Sequence, residues 1–65
     1  SRIEMLYAAI NELKKEDRAI VLLHLEDKQY DEISEIMGIS QSNTGVKIMR
    51  IKNRLQTILR RMGYE

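Results

Sequence analysis

The sequence predicts an all-α, four-helix domain, the last two helices joined as a helix-turn-helix and the last one long enough to serve as a recognition helix. Three observations carry that prediction. Apolar residues recur at spacings of three and four, the period of a helix face, and strand signals are absent. Between Tyr30 and Leu55 the run YDEISEIMGISQSNTGVKIMRIKNRL puts Gly38, able to take φ > 0, where one helix must stop, and Ser40, a good N-cap, where the next begins. From Ser40 onward the chain has no breaker for about six turns.

Each element follows from its residues. Ile3, Leu6, Ile10 and Leu13, with Tyr7 and Ala9 beside them, form one face of helix one over residues 2 to 13. Lys14 to Asp17 reads as a charged joint without Gly or Pro. Helix two covers Arg18 to Glu26, where AIVLLHL is apolar nearly all round and so belongs in the middle of the domain. After the polar link Asp27, Lys28 and Gln29, helix three opens with Asp31 and Glu32 in its first turn, where carboxylates favour the positive end of the dipole. It carries Ile33, Ile36 and Met37 on its apolar spacing, and Ile39 follows Gly38 as an inward anchor. So short a joint makes helices three and four cross steeply, which lets the second stand proud and enter a DNA major groove.

On a helical wheel, Thr44, Ile48, Ile51, Leu55, Leu59 and Met62 form the core side of helix four. The opposite side carries Ser42, Asn43, Val46, Met49, Arg50 and Asn53, with Lys47 and Arg54 flanking. Gly45 in this helix costs roughly 1 kcal/mol relative to Ala, which close approach of another group would explain. Charge is divided along the chain. Residues 1 to 39 hold five basic and nine acidic side chains, a net −4, whereas residues 40 to 65 hold six basic and only Glu65, a net +5. That asymmetry is the footprint of a domain whose one end meets a polyanion, although Arg60 and Arg61 also complement the dipole of the helix they close.

At 65 residues the chain is a single domain over 1–65, expected to be excised from a longer protein, with a small core. Zero cysteines exclude thiolate metal sites and disulfides and fit a reducing cytoplasm. No apolar run suggests a membrane span, and no pattern suggests export. Enzyme chemistry has thin candidates. His24 is the lone histidine and lies in the apolar helix two, where a structural role fits better than a base or ligand. Asp31, Glu32 and Glu35 sit where dipole and capping roles explain them, and Ser40 has no base beside it. The expectation is no enzyme, no metal, no cofactor and no small-molecule substrate.

The reading face can be assigned by chemistry. Arg50 can clamp guanine O6 and N7, Asn43 can pair with adenine or reach phosphate, and Val46 and Met49 suit a thymine methyl, with Ser42 beside them at the base edges. Lys47, Lys52 and Arg54 flank this face and suit phosphates, which fix register without reading sequence. Tyr30 can offer its hydroxyl and nearby free N–H groups to a phosphate, or pack its ring on the core edge.

These segments resemble region 4 of bacterial sigma factors, most closely the extracytoplasmic-function group, over nearly the whole chain. LYAAINEL followed by Arg18 is similar to that family's opening helix pair, YDEISEIMGIS to its Y-x-E-I-A-x-x-x-G-I-S scaffold helix and turn, and TGVKIMRIKNRL to its V-x-x-R-L-x-R-A-R-x-x-L reading helix. Ser34 stands for the usual alanine, Thr44 for valine and Gly45 for a commonly basic residue, and a glycine often found before helix three is missing. The resemblance implies a non-catalytic specificity domain that binds the upstream (minus-35) promoter element, holds the β-subunit flap of RNA polymerase core, and is masked by an anti-sigma factor. Two other readings stay open: a four-helix output domain of a response-regulator type of transcriptional regulator, and a protein-interaction module in which Val46, Met49 and the basic rim clasp an acidic helix.

Overall fold

The computed structural model describes residues 1–64. Four helices follow one another: α1 (Arg2–Asn11), α2 (Lys15–Leu25), α3 (Tyr30–Met37) and α4 (Gln41–Arg61). Every helix pair except α1 with α3 is in contact, and α4 touches all three of the others. The long helix is therefore the spine of the domain, and one core forms along it from Ala9, Ile10 and Leu13, Ile20 and Val21, Ile33, and Ile48, Ile51, Leu55 and Ile58.

Local chemistry sets the helix ends. Ser40 Oγ accepts from the Asn43 N–H at 3.1 Å and opens α4. The Gln29 N–H donates to the Glu32 carboxylate at 3.1 Å and opens α3. Gly38 takes φ 70°, ψ 34°, and the Ile39 N–H returns to Ser34 O at 3.0 Å, so the chain leaves α3 through a left-handed cap. The same closure occurs at Gly63 (φ 90°), with Tyr64 N–H on Leu59 O, and at Asp27 (φ 63°), with Lys28 N–H on Leu23 O. Asp27 stands in the link before α3, and a left-handed conformation is strained for a residue with a Cβ. Asp27→Gly should raise stability by about 0.5–1 kcal/mol, read as a higher thermal midpoint.

Several sequence expectations shift. Helix one ends at Asn11, yet Leu13 is still turned inward and buried, its N–H on Ile10 O. Lys15, Glu16 and Asp17 are the first turn of α2 and not a joint; the two carboxylates sit at the positive end of the helix, which favours starting it there. Arg18 then donates to the free Asn11 carbonyl at the end of α1. Helix α2 is not enclosed: Ile20 and Val21 are buried, but Leu22 and Leu25 keep 39% and 46% of their surface exposed. Ile3, Tyr7 and Ile36, placed on inner faces by spacing, also lie at the surface. A domain this small has too little interior to cover every apolar side chain on its helices.

On α4 the inner side holds as expected at Thr44, Ile48, Ile51 and Leu55, with Leu59 and Met62 half-buried at the rim, and it gains Ile58, which the wheel left out. Both departures from the apolar pattern are accommodated. Buried Thr44 donates Oγ1–H to Ser40 O at 2.9 Å, and buried Ser34 donates Oγ–H to Asp31 O at 2.7 Å. Each hydroxyl bonds within its own helix, so neither is left without a partner.

Candidate nucleic-acid interface

The outward side of α4 is open. Ser42, Asn43, Val46, Met49, Arg50 and Asn53 are all exposed, Met49 at 66%, while Thr44, about 100° to 180° round the same helix, is fully enclosed. The Gly38 cap and the three-residue link to Gln41 hold α3 behind α4, so this side points away from the core. The ion pairs among the described residues join the Ser1 amino group to Glu4 and Arg61 to Glu12; none involves Lys47, Arg50, Lys52 or Arg54. Those four cations are held by no described carboxylate and can meet an anion.

At about 100° per residue, they separate into two flanks. Lys47 and Arg54, seven residues apart, fall within about 20° of one another, and Arg50 lies about 40° to 60° from them toward the outer side. These three line an open cleft of about 430 Å³ whose far wall is Glu12, Leu13, Lys14 and Asp17 at the junction of α1 and α2. Lys52 and Gly45 lie on the other flank, again about 20° apart. Beside Gly45 stands Tyr30, 41% exposed, its ring tilted at 54° to that of half-buried His24 with centroids 6.2 Å apart.

The nine sequence-assigned residues divide among three positions: Ser42, Val46 and Met49 near the middle of the open side of α4, Asn43, half-buried Lys47, Arg50 and Arg54 toward the cleft, and Lys52 and Tyr30 toward α3. Lys14 also lines this cleft, across from Arg50, and nothing in the spacing points to it because only the packing of α1 and α2 against α4 brings it there. The backbone part of the Tyr30 assignment is narrowed. Glu32 occupies the Gln29 N–H and Asp31 occupies the Glu32 N–H at 2.9 Å, while neither bond uses the N–H of Tyr30 or Asp31, so the hydroxyl and those two N–H groups are what the start of α3 offers. Asp31, Glu32 and Glu35 do not converge, and no group of three His, Asp or Glu among the described residues could hold a metal ion. No described helix is long and apolar enough to cross a membrane.

No curated protein and no solved structure matches the chain. The sequence model for Sigma-70, region 4 matches residues 3–55, from the first turn of α1 to Leu55 on the buried side of α4. With four-fifths of the chain inside that match and the helix-turn-helix in its expected place, the protein belongs to the sigma-70 region 4 family.

Proposed function

We propose that this domain reads the upstream (minus-35) element of promoters by laying the first turns of α4 in the major groove, and that it contacts RNA polymerase core through the β-subunit flap during transcription initiation. The observation that carries the reading is the two-sided α4: an enclosed aliphatic side, and an open side on which four cations make no ion pair with any described residue. Ser42, Asn43, Val46, Met49 and Arg50 face base edges. Lys47 and Arg54 on one flank, and Lys52 with the Tyr30 hydroxyl on the other, reach the phosphates of the two groove walls. Family membership supports promoter DNA and polymerase core as the partners. An anti-sigma factor is a further partner in this reading, and the cytoplasm its setting.

Few phosphates are neutralised, about three to five, so the isolated domain binds DNA weakly and its affinity falls steeply with salt. Lys47→Ala is expected to weaken binding to all duplexes alike and to reduce the slope of log affinity against log salt by about 1, measured by titration at several salt concentrations. The decisive experiment is selection of duplexes from a random pool by the protein together with RNA polymerase core. An enriched sequence motif is the expected result; a recovered pool as random as the starting one removes the reading. The exposure of Val46 and Met49 favours one rival, a protein-interaction module, and absence of any binding to duplex DNA at low salt would favour it.

A further inference from the structure

The side of α4 nearest α3 contains a contact that neither base readout nor charge explains. A Cβ added at Gly45 would stand 3.5 Å from Tyr30 Cε2 and 3.9 Å from Cδ2, so the ring lies against the bare backbone of α4. That is ordinary contact for a methyl group, and it leaves little space for anything beyond one on that side. The ring's other neighbour is the His24 imidazole, at the last turn of α2. Tyr30 is held between the end of one helix and the second turn of another, and it remains 41% exposed. The hydrogen bonds of its own turn run from Gln29 to Glu32 and from Glu32 to Asp31 and bypass it.

We propose that Gly45 is a positioning residue for Tyr30: the missing side chain lets the ring rest on α4, and this seat directs the Tyr30 hydroxyl to a DNA backbone phosphate on the flank of α4 that also carries Lys52. The inference rests on the DNA-binding reading above and deepens it. It accounts for a glycine inside a helix, where the residue otherwise only costs propensity. Alanine at 45 keeps the seat, since its methyl meets the ring at an ordinary distance. Valine carries two methyl groups beyond Cβ and pushes the ring outward.

The test uses the 65-residue chain and a duplex recovered by the selection described above. Tyr30→Phe keeps the ring and removes only the hydroxyl; its thermal midpoint should match wild type, while affinity falls about 10- to 150-fold on cognate and scrambled duplexes alike, the loss of one hydrogen bond to a charged acceptor. Because the hydroxyl is neutral, the salt slope should not change. Gly45→Ala should keep wild-type affinity within about twofold and melt higher. Gly45→Val should lose as much affinity as Tyr30→Phe, and the double variant should lose no more than either single one. Wild-type affinity in Tyr30→Phe, or losses that multiply in the double variant, would overturn the proposal. If Gly45→Val does not fold, wild-type affinity in Tyr30→Phe still overturns the proposal. A wild-type chain that binds no duplex removes the underlying reading instead.

Discussion

An Arg50→Ala domain should melt at the same temperature as wild type and lose its preference for a cognate duplex over a scrambled one. Arg50 is exposed and pairs with no described carboxylate, so its removal leaves no buried charge and opens no cavity. What disappears is a planar fork of donors that can address guanine O6 and N7 together, a contact contributing about 1–3 kcal/mol of discrimination. At 1.4 kcal/mol for each factor of ten, the cognate-to-scrambled ratio should fall roughly 5- to 150-fold. Competition titration of both duplexes at one salt concentration measures that ratio. Lysine at position 50 should restore charge and general affinity while restoring only part of the discrimination, because an ammonium lacks the paired, planar donors. Equal loss on both duplexes in Arg50→Ala would demote the residue to a phosphate contact, a possibility its place on the cleft flank with Lys47 and Arg54 makes worth measuring.

The largest expected effect on stability belongs to Ile58→Ala. Ile58 is 1% exposed within a core of ten apolar residues, and truncating such a side chain costs about 2–5 kcal/mol. A chain of this length has only about 3–10 kcal/mol in total. The thermal midpoint should therefore drop by 10 °C or more, and at the upper end of the range the domain is largely unfolded at room temperature. Leu59→Ala, one residue on but only half-buried at the rim, should cost about half as much. Melting curves followed by helical circular dichroism compare the two directly. A larger loss at Leu59 than at Ile58 would mean that the last turns of α4 are rotated from the register described.

That pair of residues also shows where the sequence stops informing. Measured from Thr44, Ile58 lies about 40° to one side of the inner line of α4 and Leu59 about 60° to the other, so spacing alone admits either. The choice is made by the neighbouring helices, which cover Ile58 and leave Leu59 at the edge. The same gap explains Ile3, Tyr7 and Ile36: helical spacing identifies a face but not how much of it a small domain can cover. Features decided within a few residues were legible. Gly38, Ser40 and the carboxylates opening α3 each act on backbone groups at most five positions away, and all stand where local chemistry places them. Even the missing glycine before helix three was visible as an absence, although only the coordinates show Asp27 taking up the left-handed conformation in that link.

The candidate site divides along the same line. Exposure of Ser42, Asn43, Val46, Met49 and Arg50 followed from the wheel because it depends on one helix. The cleft shared by Lys14 with Lys47, Arg50 and Arg54, and the seat of Tyr30 on Gly45, depend on two and three helices and had no signature in spacing.

Links of three or four residues between successive helices have a kinetic consequence as well. Helices joined so closely meet after short loop closures, which places the chain among topologies that reach the native state in microseconds to milliseconds. With no proline in the sequence, no prolyl isomerisation can add a slow phase. A domain whose ordered state is only marginally favoured then regains its fold quickly each time it opens.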